Sequence, residues 1–218
     1  VVEQTLIDVR DMAIVHRAFR DAFSESARLV RADPTPSPAR LDFVGKHVAF
    51  VISLLQHHHE GEDELLFPLL AERVPDQAEM VHEVEAQHHD VVTAMASALE
   101  ACAAWQAAPS PVSAETLAER LDTLNETLQP HLDDEEGRIV PLAAQHLSQS
   151  EWDALGDNAT QSIPRKMLPI AFGLITESLN PDDTAHMRSH LPPPVRMLYP
   201  VLIGRPWKKY ARTLRHGT

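Results

Sequence analysis

The chain has 218 residues, a formal net charge of -13, 44% hydrophobic residues, 5% aromatic residues and one cysteine. That length can fill one core and leave material for an appendage; the acidic balance argues against nucleic acid, the lone Cys102 excludes an internal disulfide, and no apolar run is long enough to span a bilayer. With 7 glycines and frequent Ala, Leu, Glu, Gln and His, the composition favours helices over strands, and the expected fold class is all-α.

A first helix is predicted from about Val2 to Ala32, with Leu6, Val9, Met12, His16, Phe19, Phe23 and Val30 at helical spacing. His16 sits inside that apolar stripe. Asp33 to Pro38 ends the helix, because proline has no N–H to give and disfavours helical geometry in the residue before it. A second helix resumes near Ala39 and carries Phe43, Leu54, His58, Glu62 and Leu65 along one face. Pro68 removes the bond to the carbonyl of Glu64, so a kink is expected about a turn and a half beyond Glu62, with the helix ending by Arg73.

A third helix is predicted from Asp76 to about Ala107, with Val81, Val84, His88, Val91, Met95, Ala98 and Cys102 on its stripe and His82 and His89 to the sides. Ser113 is the expected N-cap of the fourth helix, and Glu115 suits its dipole. Leu117, Leu121, Leu124, Leu128, His131, Glu135 and Leu142 form its inward stripe, which ends near His146 or Leu147. Ser148 to Glu151 is a capping-box pattern opening a short fifth helix with Trp152 and Leu155. Pro164 to Leu179 and Pro181 to His190 read as further short helices, followed by a basic end. From Arg188 onward there are seven Lys/Arg and no Asp/Glu, so this tail is +7 and the rest of the chain -20. The expected organisation is a four-helix bundle over residues 1–147 and a C-terminal helical extension with a basic tail over residues 148–218.

The chemistry lies in a repeat. His58-His59-Glu60-Gly61-Glu62-Asp63 leads to Phe67-Pro68-Leu69, and 73 residues later His131-Leu132-Asp133-Asp134-Glu135-Glu136 leads to Val140-Pro141-Leu142. Both copies read His-x-x-x-Glu-acid and then Pro-Leu. Positions i and i+4 of a helix share a face, so each copy aims an imidazole and a carboxylate at one point. His16 and His88, 72 residues apart, lie on the partner helices, as expected of a duplicated helical hairpin.

A carboxylate on a core face is costly unless it is paired or metal-bound, and here that arrangement occurs twice. The candidate metal ligands are therefore His16, His58, Glu62, His88, His131 and Glu135. His57 and His59 each lie about 100° around the helix from His58, and of the two His59 is the better candidate for an extra ligand. His47 shares the face of His58 but lies roughly 16 Å away along the axis, too far for the same ion. Imidazole and carboxylate without thiolate suit iron or manganese, with zinc also open. Two carboxylates in such a set can bridge two ions about 3.5 to 4 Å apart. Six donors do not fill two octahedra, so water, hydroxide or oxo would complete them and leave room for an exogenous ligand. Trp105, Trp152, Met12, Met95 and Cys102 read as packing residues.

The order His16, His58 to Glu62, His88, His131 to Glu135, with its Leu-Phe-Pro and Ile-Val-Pro flanks, resembles the hemerythrin-like (HHE cation-binding) family over about residues 1 to 147. The end Trp207-Lys208-Lys209-Tyr210-Ala211-Arg212 is similar to tails of actinobacterial members. The resemblance implies an up-down-up-down four-helix bundle, here with additional short C-terminal helices, holding two non-haem iron ions with an oxo or hydroxo bridge. It also implies a small diatomic or peroxide ligand. The oxygen carriers take two histidines one turn apart from the third helix, whereas here Val84 and Val92 flank His88 at that spacing. Ferritin-like diiron enzymes need Glu-x-x-His on two helices, and Glu85-x-x-His88 has no counterpart before His131, where Leu128 stands.

The expected function is reaction with hydrogen peroxide, nitric oxide or O2 at an open iron position, as a catalase-like or nitric oxide-processing oxidoreductase. The alternative is an O2 or iron sensor that binds without turnover. The single cysteine and the lack of a leader pattern at Val1 to Gln4 point to a cytoplasmic setting. The basic tail is expected either to pack on its own acidic bundle, with Trp207 and Tyr210 as anchors, or to report on the site.

Overall fold

The computed structural model describes residues 6–217, and among these the regular structure is helical with no strand. Helix α1 (Arg10–Ala32) is followed by α2 (Pro38–Gly61), which runs through a wide π-helical turn (Glu62–Leu66) into α3 (Phe67–Arg73). A 3-10 turn (Pro75–Gln77), α4 (Ala78–Ala86) and α5 (His88–Ala107) form the third rod of the bundle. The fourth rod is α6 (Pro111–Asp134), a second π turn (Glu135–Ile139) and α7 (Val140–His146). α1 packs on α2 and α6, and α5 packs on α2 and α6, so neighbours in sequence are neighbours around a square. Short connections between adjacent rods give the up-down-up-down order. Among the described residues no helix is long and apolar enough to cross a membrane.

Local chemistry sets most of the boundaries. Ser37 caps α2 through the Arg40 N–H, with Pro38 in the first turn, where its missing donor costs nothing. The fourth rod begins three residues earlier than expected: Ser110 is the N-cap, and Ser113 is the third helical residue of the same capping box. Ser148 and Glu151 form the expected box at the start of α8 (Gln149–Ser162).

Three further expectations are corrected. The first helix starts at Arg10, residues 6–9 are non-helical, and Leu6 is exposed instead of joining the stripe; the proposed start at Val2 and the leader reading at Val1 to Gln4 fall outside the described residues. The third rod is interrupted at Gln87, whose N–H bonds the Val84 carbonyl while its own carbonyl accepts from Asp90 and Val91. In the second and fourth rods the helix widens before the proline is reached. The Phe67 N–H bonds Glu62 and the Val140 N–H bonds Glu135, five residues back in each case. One added residue turns all later side chains by about 100°, which swings Leu66, Phe67 and Leu70 onto Ile139, Leu142 and Ala143.

These two apolar clusters enclose the polar centre along the bundle axis. One contains Phe19, Phe23, Val51, Leu55 and the α6 leucines 117, 121, 124, 128 and 132. The other holds Met12, Leu66, Phe67, Val81, Val84, Ile139 and Trp152. Each buried leucine contributes about 2 kcal/mol of apolar burial, and that packing holds four rods against a costly polar layer.

The later segments wrap this frame: α8 lies on α2 and its π turn, and α9 (Leu168–Thr176) lies on α1. They are followed by α10 (Pro181–Ser189), α11 (Pro193–Met197), a π turn (Pro200–Gly204) and α12 (Arg205–His216). α12 packs on α9, where Trp207 lies so close over Gly173 that no Cβ would fit there. The Tyr210 hydroxyl meets His47 Nδ1 at 3.1 Å, Arg40 Nη1 donates to the Thr213 carbonyl, and Arg215 bridges Glu25 and Glu177. The basic tail thus rests on its own acidic bundle, with Trp207 and Tyr210 as anchors.

Candidate metal centre

The centre takes side chains from all four rods. His16 comes from α1; His58, His59 and Glu62 from α2 and its π turn; His88 from the first turn of α5; and His131 and Glu135 from α6 and its π turn. Each proposed ligand is buried except His58, whose side chain remains 13% exposed. His16 Nε2 lies 3.1 Å from His58 Nε2 and 3.4 Å from Glu135 Oε2. His131 Nε2 is also 3.4 Å from Glu135 Oε2. Glu62 sits between His58, at 3.3 Å, and His88, at 3.8 Å. Each glutamate therefore faces the histidine of its own repeat and the single histidine of the other half, so the duplication in the sequence becomes an approximate twofold in the site.

Two groups of convergent donors result: His16, His58, Glu62 and Glu135 in one, and His59, His88 and His131 in the other, each with donor atoms within 4.8 Å of one another. The six residues marked by the repeat and the apolar stripes come together, and His59 joins them. His57 does not: it is turned outward and paired with Glu60. His82 pairs with Glu85 at the surface, and His89 is exposed.

A set of outer side chains fixes the imidazoles. His88 Nδ1 lies 2.7 Å from Asp63, and His16 Nδ1 lies 3.0 Å from Glu136. The acid after each glutamate thus reaches across to the single histidine of the opposite half, which gives the second acid in the repeat a physical meaning. Arg20 in turn holds Glu136 at 2.8 Å. Bonds from His16 and Arg20 keep the Glu136 carboxyl at about 2. His131 Nδ1 meets Gln87 Oε1 at 3.3 Å, while Gln87 Nε2 donates to Asp134. With Nδ1 thus engaged, each of these imidazoles turns Nε2 inward, the arrangement that orients histidines for a cation.

Apart from the contact between His16 Nε2 and His58 Nε2, the inward atoms lack partners within the protein. Both nitrogens of His59, both oxygens of Glu62 and of Glu135, and Nε2 of His88 and His131 are buried without a hydrogen bond. Burial holds all five imidazoles below their ordinary value, with His131 at about 3, and therefore neutral and able to donate a lone pair. Burial, followed by the charges of Glu135 and Asp63, pushes the Glu62 carboxyl well above its ordinary range. Burial, followed by the charges of Glu136 and Asp63, raises Glu135 to about 8. A protein interior seldom tolerates so many unsatisfied donors and acceptors in one place. A cation, or a pair of cations, among them would engage the glutamate oxygens, Nε2 of His88 and His131 and one nitrogen of His59, so the residues present fit a metal centre.

Outer residues such as Asp63, Glu136, Arg20 and Gln87 were not distinguished by sequence reasoning, although the acid after each glutamate was visible in both copies.

Searches of curated proteins and of solved structures returned no match. The family model described as the hemerythrin HHE cation binding domain matches residues 8–143, which include every convergent donor described above, and the chain belongs to that family.

Proposed function

We propose that the chain is a non-haem diiron protein that reacts with a small oxidant, hydrogen peroxide or nitric oxide and with O2 as a further candidate, in a bundle spanning residues 1–147. The observation that carries this reading is the division of the convergent donors into two groups, with Glu62 and Glu135, which belong to the His16/His58 group, also facing His88 at 3.8 Å and His131 at 3.4 Å in the other. His59, His88 and His131 would hold one ion and His16 and His58 the other, with both glutamates shared. Counting the shared glutamates, the first ion has five protein donors and the second four.

The sequence accounts for this inequality. The echo of His59 in the second repeat is Leu132, which is fully buried in the apolar cluster, so the His16/His58 side lacks the third imidazole. When bound there, ferrous iron supplies electrons for reducing a small ligand. Burial keeps the imidazoles neutral, Asp63, Glu136 and Gln87 keep His88, His16 and His131 aimed inward, and the surrounding protein holds two carboxylates at the centre of the bundle and excludes bulk water with an apolar cluster on either side.

Metal quantification together with an absorption spectrum of the oxidised protein tests the reading. Two irons per chain with oxo-bridged diferric bands, oxygen evolution from peroxide or a spectral response to nitric oxide is the expected result. Zinc or a single iron, or indifference to both reagents, would sink it. A second reading, a sensor that binds O2 or iron without turnover, is favoured by the contact of the C-terminal segments with the bundle beside His58. It predicts that proteolysis of α12 differs between metal-free and metal-loaded protein.

A further inference from the structure

His58 is the least buried of the candidate ligands because it borders a cavity of ≈ 120 Å³ that His58 and Glu62 help to line. Phe19 and Leu54 form its wall on the bundle side. The opposite wall is Leu155 and Ala159 of α8, Ile163 after it, and Leu174 of α9, all beyond the residues matched by the family model. The polar side chains at its margin are already engaged: the Trp152 indole N–H donates to Asp11 at 2.9 Å, and His57 pairs with Glu60. Of the convergent donors only His58 and Glu62 line it; His16, His59, His88, His131 and Glu135 do not, and His16 lies behind His58 at 3.1 Å. The cavity therefore meets the centre on the side that is one imidazole short.

We propose that the C-terminal segments roof an apolar antechamber through which small uncharged molecules, dissolved gases and neutral peroxide, reach the His16/His58 side of the centre. Its size is near that of the apolar cavities of about 150 Å³ that stay dry and take up benzene or xenon. An anion crossing it would shed its hydration against Phe19, Leu54, Leu155 and Leu174 with nothing to replace the lost hydrogen bonds. A neutral diatomic loses almost nothing there. The ligand class is thus set by the chamber's wall, before any metal is met. The function of the chamber rests on the diiron reading above, whereas its existence and contents do not.

Xenon-pressurised crystals of the full chain, with and without iron, provide the test, alongside stopped-flow mixing of the iron-loaded protein with nitric oxide and with azide. Wild-type protein is expected to show a xenon peak between α8 and the bundle in both forms. Ala159→Phe, and Leu174→Phe as an independent variant, should lose that peak, keep the metal content and slow nitric oxide association at least tenfold. Azide should associate at least tenfold more slowly than nitric oxide in wild type. No xenon in wild type, or loss of xenon with an unchanged nitric oxide rate, would overturn the proposal. Iron-loaded wild type that ignores nitric oxide while the xenon peak behaves as expected would overturn the diiron reading and leave the chamber standing.

Discussion

Asp63 and Glu136 each follow a central glutamate by one position, and each orients a histidine that belongs to the other half of the bundle. Removing the charge without the shape separates orientation from packing. Asp63→Asn and Glu136→Gln are each expected to weaken iron binding about 10- to 100-fold, the usual cost of losing an outer partner of a metal-bound histidine. The helical content should stay the same. Iron retained after refolding in the presence of a chelator of known affinity reads this, and unchanged retention in both variants would show that the two acids are only surface decoration.

At this scale the sequence disclosed six of the seven convergent donors, because a repeated His-x-x-x-Glu and two stripe histidines share one geometric logic. His59 stood apart since, on an ideal helix, it lies about 100° from His58. The structure explains its inclusion: α2 is wedged between α1 on one side and α5 on the other, so two adjacent faces of that helix are interior. His58 meets the imidazole of His16, and His59 stacks on His88 with ring centroids 4.1 Å apart.

Among elements, the two π turns show what pattern reading reaches and where it stops. Pro68 signalled that the second helix departs from regularity beyond Glu62, and Pro141 stands at the matching place in the fourth. They could not show that the departure begins at Glu62 and Glu135 themselves, because the widened turn is a choice between two acceptors for one N–H and leaves no composition mark. The break at Gln87 was equally hidden, having neither glycine nor proline. The docking of α12 was foreseen only as one of two options, since spacing does not say which surface an amphipathic helix covers.

That docking carries a pH dependence. Burial pushes His47 down to about 4, with Glu25 pulling upward and Arg215 and Arg40 pushing downward; its Nδ1 faces the Tyr210 hydroxyl, which burial raises to about 12. An undocked α12 would leave His47 in water with its ordinary value near 6.5, roughly. The docked form is therefore the poorer proton binder. Its stability is full above about pH 6.5 and falls as the pH drops toward 4, by up to roughly 3 kcal/mol. Proteolysis at Lys208, Lys209 and Arg212, followed from pH 7 to 4.5, should accelerate across that window, and His47→Gln should flatten the profile relative to wild type. A wild-type profile as flat as that of the variant would contradict the assignment.

For the molecule as a whole, the charge split of +7 and -20 read from the sequence is met internally at one point, where Arg215 of basic α12 pairs with Glu25 and Glu177. The position of the centre between two apolar clusters has a kinetic consequence. The cavity beside His58 is walled by apolar groups and sized for small molecules, so a polyanionic chelator has no route to a bound ion while the rods stay together. Metal departure then requires the helices to part, and its rate becomes a property of the bundle. Iron loss from loaded protein is expected to become independent of chelator concentration at high chelator and to match the opening rate given by hydrogen exchange of the α6 leucine amides. A loss rate that keeps rising linearly with chelator would mean that the ion is reached directly. Held in this way, an ion that equilibrates poorly with its surroundings is loaded once, as the chain folds, and stays for the lifetime of the folded protein.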